Sequence, residues 1–200
     1  MEIIKLEPHA KKQASDVMAA AFFDYPMFAP IFPDLKKRAK KMTWFFEKCI
    51  QVSLRYGSVF ATSDLSGVML ILSPGYTKLT QFDYIKNGFL LLPFIMGLKN
   101  YAKFDEYEKF AAKIQESVLN ERDCYYIFGL ATDPEKQGKG IGSALIKFLI
   151  EKADAEKIPI YLRTETKDNA RYYEKFGFKV LYNSPAPISD FDIWCMLRDV

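Results

Sequence analysis

An uncharged strand that runs directly into a glycine-rich turn and a helix is the feature that most constrains this fold. Residues 124–131 read CYYIFGLA, and eight residues without a charge predict a strand buried on both faces. Asp133-Pro134 ends it, and apolar residues recur at helical spacing from about Gly140 to Glu156. A further strand follows over Ile160–Arg163. This order predicts two parallel strands joined by a crossover helix.

The remaining pattern predicts more strands and helices around this unit. The predicted strands are Glu2–Leu6, Ser58–Thr62, Gly67–Leu72, Phe178–Tyr182 and Phe191–Leu197, the second and third forming a hairpin around Asp64–Ser66. The predicted helices are His9–Phe23, Asp34–Arg55 (ended by Gly57) and Asp168–Phe176.

A long aromatic stretch without strand signals separates the hairpin from the uncharged strand. We predict a helical insertion over about 78–121, in two pieces divided near Pro93–Asn100, that acts as a lid or substrate wall. Within it, residues 88–98 read GFLLLPFIMGL, which is too short for the roughly 20 residues of a spanning helix. We expect no stable membrane insertion. A buried helix, a lid, a subunit contact in a homodimer and a surface-lying anchor remain open for this segment.

Composition excludes several classes of protein. The chain has 200 residues and a net charge of +3, which predicts one domain over 1–200 and no nucleic-acid partner. Its one basic cluster, Lys36 to Lys41, is typical of the solvated flank of a helix. Three cysteines without a CxxC pair predict no disulfide, no metal site and a cytoplasmic location. A single histidine, His9, disfavours catalytic triads that need histidine.

The turn itself, Gln137-Gly138-Lys139-Gly140-Ile141-Gly142-Ser143, predicts an anion site. Glycines let the backbone approach phosphate oxygens, and the N-terminus of a helix favours negative charge. A flexible helix start without a ligand is the alternative. The turn does not match the dinucleotide-binding pattern Gly-x-Gly-x-x-Gly, because Ser143 occupies the position of the last glycine when the pattern starts at Gly138. The sequence also lacks the Gly-x-x-x-x-Gly-Lys-Ser/Thr loop that binds nucleoside triphosphates. The motif alone leaves the ligand open.

Two strings resemble the GNAT-type N-acetyltransferase family. Leu130 to Ile146, LATDPEKQGKGIGSALI, is similar to its acetyl-CoA motif, with Gln137, Gly140 and Gly142 at the motif's fixed positions. Asn169 to Phe178, NARYYEKFGF, resembles its second signature. The strand is also similar to a bacterial branch that includes puromycin acetyltransferase-like proteins. The resemblance implies an α/β fold with a mixed, mostly antiparallel sheet, a splayed parallel central pair and flanking helices.

The same resemblance implies roles for individual residues in an acetyl-CoA-binding core over 123–182. The backbone at Leu130, Ala131 and Thr132 would hydrogen-bond the pantetheine arm. The N–H groups from Gly138 through Lys139, Gly140, Ile141 and Gly142 to Ser143 would hold the pyrophosphate, next to Gln137. Asn169 would contact the pantetheine region, and Tyr173 would lie near the thioester sulfur.

The implied reaction is direct attack by the neutral primary amine of a small molecule on the acetyl thioester of acetyl-CoA. Tyr173 is the candidate acid for the leaving thiolate, although packing alone also explains a tyrosine here. The base is less defined. The family often has histidine where this chain has Cys124, so Glu165 is the best remaining carboxylate, with a solvated loop glutamate as the alternative. Tyr125, Tyr126 or a chain of water molecules, with the substrate already partly deprotonated, are further candidates. A CoA-binding or regulatory module that has lost transfer is the second functional hypothesis.

The 31 aromatic residues are the one strong compositional bias. Many of them precede Asp123, in the second predicted helix and in the insertion. We predict that these rings wall an acceptor pocket or a subunit contact.

Overall fold

One seven-stranded mixed sheet organises the chain in this computed structural model, which describes residues 1–200. The strands are β1 (Ile3–Lys5), β2 (Gly57–Thr62), β3 (Gly67–Leu72), β4 (Tyr125–Thr132), β5 (Ile160–Thr164), β6 (Lys179–Pro185) and β7 (Asp192–Arg198), in the spatial order β1-β2-β3-β4-β5-β7-β6. Only β4 and β5 are parallel; every other neighbouring pair is antiparallel. The predicted fold class is confirmed.

Helices cover both faces of the sheet. They are α1 (Lys11–Ala21), α2 (Leu35–Tyr56), α3 (Gln81–Lys86), α4 (Leu92–Met96), α5 (Leu98–Leu119), α6 (Ile141–Glu156) and α7 (Lys167–Glu174). Side chains alternate between the faces because successive strand residues point in opposite directions. In β3, Val68 and Leu70 pack on the side of α1 and α2, whereas Met69 and Ile71 pack against α6.

The parallel pair is short, and its strands then separate. Tyr125–Ile127 pairs with Ile160–Leu162, and no pairing continues toward the carboxyl ends of β4 and β5. In the ladder with β3, Leu70 pairs with Gly129 and Ile71 with Ile127, so Phe128 is an extra residue in β4. Such a bulge bends its strand. The sheet is therefore open between the last residues of β4 and β5.

The predicted helices and strands are present with shifted ends. The insertion and the uncharged strand differ from the prediction in detail. The break predicted near Pro93–Asn100 is confirmed at Gly97, which has a φ of +86°. A second break at Gly88, with a φ of +92°, divides the insertion into three pieces instead of the two predicted. Pro93 lies in the first turn of α4, where no N–H is needed. Residues 128–130 of the uncharged strand are half-buried, because they line a cavity instead of a second protein layer. No helix is both long and apolar enough to cross a membrane.

In the basic cluster at the start of α2, Lys36, Lys37 and Lys40 are exposed and Lys41 is half-buried, whereas Arg38 is buried. This side chain is buried, and its Nε donates to the backbone O of Phe32 at 2.6 Å. Its Nη1 donates to the backbone O of Phe23 at 3.2 Å and to Asp24 Oδ1 at 3.0 Å. The solvated helix flank predicted for all five residues is wrong at Arg38, which fastens the loop between α1 and α2.

Gly57 tests the packing of β2 against β3. A Cβ atom added there would lie 2.1 Å from the backbone O of Ile71, and a strand backbone cannot move aside without losing pairing. We expect Gly57→Ala to lower the free energy of unfolding by about 1–3 kcal/mol, measured by urea denaturation. Ser58→Ala on the same strand is the control, with an expected change within about 0.5 kcal/mol. Equal effects of the two changes would contradict this packing.

Candidate active site

A cavity of about 1120 Å³ occupies the opening between β4 and β5. Its walls include Phe45 of α2 and Phe104 of α5 from one side of the sheet, and Gly142 of α6 and Tyr173 of α7 from the other. Because elements from both faces line one space, the cavity passes through the sheet at the splay. It has two parts, which we name after the ligands proposed for them: a cofactor arm beside α6 and α7, and an acceptor chamber beside α2 and the insertion.

The cofactor arm begins at the predicted glycine turn. Gly138 and Gly140 have φ of +77° and +79°, and a Cβ on either would meet no protein atom within 4 Å. Gly140 is the N-cap residue of α6, so no side chain caps this helix. The N–H groups of residues 138–143 donate to no backbone acceptor. The first turn of this 16-residue helix therefore presents free donors and the positive end of its dipole to the cavity.

The edge of β4 continues the same arm. Ile127 to Thr132 line the cavity, and from Phe128 onward the edge that faces β5 has no strand partner. An unpaired edge offers alternating N–H and C=O groups to an extended ligand. Free helix donors for an anion and a free strand edge for an amide-containing chain fit two adjoining parts of acetyl-CoA, its pyrophosphate and its pantetheine arm.

Two contacts set the position of the glycine turn. Lys136 pairs with Asp64 at 2.9 Å, and Asp64 also accepts hydrogen bonds from Thr62 and Ser66 in the hairpin turn. These hydrogen bonds lower the pKa of Asp64 below its ordinary value, so it stays ionised. The N–H of Asp133 donates to the backbone O of Ser66 at 2.8 Å. The end of β4 is thereby tied to the β2–β3 turn.

α6 and α7 meet across the arm through their side chains. Ser143 Oγ lies 2.9 Å from the hydroxyl of Tyr172. A Cβ at Gly142 would come within 3.2 Å of that hydroxyl, so an alanine there would require the Tyr172 hydroxyl to shift by a few tenths of an ångström. Thr166 caps α7 by accepting from the N–H of Asn169.

Glu165 lies just beyond β5, buried and lining the cavity. The hydroxyl of Tyr107 in α5 donates to the carboxylate of Glu165. The backbone N–H of Glu165 donates to the hydroxyl of Tyr25 at 3.0 Å. Tyr25 is also 2.9 Å from Thr164 Oγ1, and it accepts from Asn169 Nδ2 at 3.5 Å. The expected alternative of a solvated loop glutamate was wrong, because two tyrosines enclose this residue.

Burial is the main cause that raises the pKa of the Glu165 carboxyl above its ordinary value of 4.5. The nearby Arg163 and the hydrogen bond from Tyr107 oppose this effect. A buried carboxylate with a raised pKa is a stronger proton acceptor than an exposed one.

Tyr173 lines the arm from α7 and packs edge-on against Phe178, with ring centroids 5.7 Å apart. Burial, with smaller contributions from Tyr172 and Glu165, raises the pKa of its phenol well above the ordinary value. The phenol therefore keeps its proton at neutral pH, as a proton donor must.

The structure brings nearly all the predicted site residues together. Those that line the cavity are Leu130, Ala131, Thr132, Gln137, Gly138, Gly140, Ile141, Gly142, Ser143, Glu165, Asn169 and Tyr173. Lys139 does not: its side chain is exposed outside the cavity.

The other candidate bases differ in position. Cys124 is fully buried outside the cavity, and burial raises its pKa to about 12. Tyr125 lies on the α6 side and donates to Glu156. Tyr126 lines the cavity, but burial raises its pKa above the ordinary value. Glu165 is thus the carboxylate that combines cavity access with burial.

Two functional side chains were missed from the sequence, Tyr25 and Tyr107. Tyr25 precedes a proline in an irregular loop, and Tyr107 looks like one more aromatic residue of the insertion. Neither belongs to a motif, and only the fold brings them to Glu165.

A seven-stranded mixed sheet, splayed beside a glycine turn at a helix N-terminus, is the arrangement of GNAT-type acetyltransferases. Residues 90–178 match the model of the Acetyltransferase (GNAT) family. The predicted resemblance to this family is confirmed, whereas the puromycin acetyltransferase-like branch stays a prediction.

The chain is also similar to one sequence relative and to solved structures. The chain is 28% identical over 181 residues to the uncharacterized N-acetyltransferase C550.08 of Schizosaccharomyces pombe, covering 87% of this chain and 72% of that protein. Among solved structures it resembles a protein of Corynebacterium glutamicum described as histone acetyltransferase HPA2 and related acetyltransferase, with a TM-score of 0.67, 19% identity and coverage of 98% and 94%. It also resembles the polyamine N-acetyltransferase of Drosophila melanogaster, with a TM-score of 0.64, 9% identity and coverage of 100% and 99%. The two solved structures support the fold.

The raised pKa of Glu165 makes a prediction about stability. The folded state holds this proton to higher pH than the unfolded state, so ionisation weakens folding. The loss of folding free energy on ionisation of Glu165 is absent below the pKa of this group in the unfolded state, near 4.5. The loss is complete above its pKa in the folded state. We expect Glu165→Gln, which cannot ionise, to gain Tm relative to the parent as pH rises from about 4 to 8. The exposed Glu151→Gln is the control. A Tm difference that does not change with pH would contradict the burial of this charge.

Proposed function

We propose that this protein transfers the acetyl group of acetyl-CoA to the primary amine of a small molecule, by direct attack while both substrates are bound. One observation carries the proposal. A single cavity joins the free N–H groups of the glycine turn to the buried Glu165 and to an aromatic chamber. A donor and an acceptor therefore have separate places that meet at the splay.

The cofactor arm would hold acetyl-CoA, which supplies an activated acetyl thioester when bound. The N–H groups of residues 138–143 would bind its pyrophosphate, and the free edge at Leu130 and Ala131 would bind its pantetheine amides. A backbone N–H on the same edge is available to hydrogen-bond the acetyl oxygen as negative charge develops there. Asn169 lines the arm on the α7 side.

Glu165 and Tyr173 would handle the two protons of the transfer. Glu165 accepts a proton from the amine, since its raised pKa and its place in the cavity suit a base. Tyr173 donates a proton to the leaving sulfur, since its phenol stays protonated. Tyr107 and Tyr25 act on Glu165 as positioning residues through their hydrogen bonds.

The absence of histidine at position 124 does not favour a module without transfer. Cys124 is buried and lies outside the cavity, so a side chain at that position does not reach an acceptor in this chain. The carboxylate of Glu165 replaces it within the cavity.

Two variants test the assigned roles. We expect Glu165→Gln to lower kcat by about 10²–10⁴-fold, the usual contribution of a general base. Tyr173→Phe should lower kcat by about 10–100-fold, because a thiolate of pKa near 8.5 still leaves without an acid. Release of free thiol from acetyl-CoA with an amine panel measures both rates. An unchanged kcat in both variants would show that Glu165 is not the base and that Tyr173 is not the acid. CoA binding without amine-dependent release, across a broad panel, would support the module without transfer.

The glycine turn is tested by binding. Gly140→Ala places a methyl group in the open space where the pyrophosphate is expected, and we expect Kd for CoA to rise about 10-fold or more by calorimetry. Gly97→Ala is the matched control, since Gly97 also has a positive φ and an open Cβ direction but lies outside the cavity. Similar CoA affinity in the two variants would contradict the placement of the pyrophosphate.

A further inference from the structure

We infer that the acceptor is a monoamine with an aromatic or apolar body, and not a polyamine or an aminoglycoside. This inference rests on the proposed function and names the substrate class of the same site. Two independent properties of the acceptor chamber carry it: the kind of surface it offers, and the pairing of its charges.

The chamber wall on the side of α2 and the insertion is aromatic. It is formed by Phe45, Tyr84, Phe89, Leu92, Tyr101 and Phe104. The rings hold one another edge-on: Phe45 lies 5.7 Å from Phe89 and 5.8 Å from Phe104, and Tyr84 lies 5.5 Å from Phe89. Interlocked rings form a firm apolar wall, which favours ligands that bury apolar surface.

Charged side chains also line the cavity, but most of them neutralise one another. Glu108 pairs with Arg163 at 2.5 Å. Asp105 pairs with Lys109 at 2.7 Å, and Glu116 pairs with Lys78 at 3.1 Å. Of the eight charged residues in the wall, only Glu165 and Lys113 have no ion-pair partner.

The remaining charges decide how many amines the chamber accepts. Glu165 can serve one amine, and no other carboxylate is free for a second. A further ammonium group would find Asp105, Glu108 and Glu116 already paired with Lys109, Arg163 and Lys78, and burying an unpaired cation is costly. The chamber therefore has a place for one amine, with the rest of the acceptor packed on rings.

The test compares aromatic and apolar monoamines with a polyamine and an aminoglycoside. We expect kcat/KM for phenethylamine, tryptamine and hexylamine to exceed that for spermidine and kanamycin by about 10-fold or more, measured by thiol release from acetyl-CoA. Equal or higher kcat/KM for spermidine or kanamycin would overturn the inference while leaving the acetyltransferase activity established.

A pair of variants locates the effect in the chamber. Phe104→Ala should raise KM for phenethylamine about 10-fold with a small change in kcat. Phe94→Ala is the control in the same insertion, because Phe94 is 79% exposed and lies outside the cavity wall. Phe104→Leu, which retains apolar bulk, should recover part of the KM and shows whether a loss comes from folding. Equal KM in the Phe104 and Phe94 alanine variants would contradict the chamber.

The two proposals fail in different ways. If no amine is acetylated, the proposed function fails, and calorimetry of phenethylamine and spermidine binding to the CoA-saturated protein then decides the inference by itself. Tighter binding of phenethylamine supports the aromatic chamber, whereas tighter binding of spermidine, or binding of neither amine, overturns it.

Discussion

The separation of β4 from β5 after three residue pairs is the constraint on which the rest of the structure depends. A strand edge in the middle of a sheet carries polar backbone groups, and leaving such a group buried without a partner costs about 1–3 kcal/mol. The bulge at Phe128 and the stop at Asp133-Pro134 keep this edge open. An opening in the centre of the sheet therefore requires water or a ligand to complete the hydrogen bonding.

Around this opening, three distant parts of the chain meet at one carboxylate. Tyr25 follows α1, Tyr107 belongs to α5 and Glu165 follows β5, yet hydrogen bonds join both tyrosines to Glu165. The backbone of β5 fixes Glu165, while the tyrosines exclude water from it. The raised pKa of this group is thus a property of the assembled fold, because no single segment supplies both the carboxylate and its apolar enclosure.

How much could be predicted from the sequence depends on whether the signal is local. The glycine turn and the strand before it were predicted, since turn, strand and helix start are adjacent in the chain. The burial of Arg38 and the roles of Tyr25 and Tyr107 were missed, since each depends on a partner many residues away. The break predicted within 93–100 is present at Gly97, whereas the break at Gly88 was missed. Pro93 itself occupies the first turn of α4, where proline is tolerated.

The cofactor arm and the acceptor chamber of the cavity come from different stretches of the chain. Residues 127–173 supply the cofactor arm, whereas α2 and the insertion supply most of the aromatic wall. Under the proposed function, the residues that would select the acceptor and the residues that would bind CoA lie in different segments of the chain. A substitution in the aromatic wall would then change the acceptor chamber while leaving the glycine turn in place.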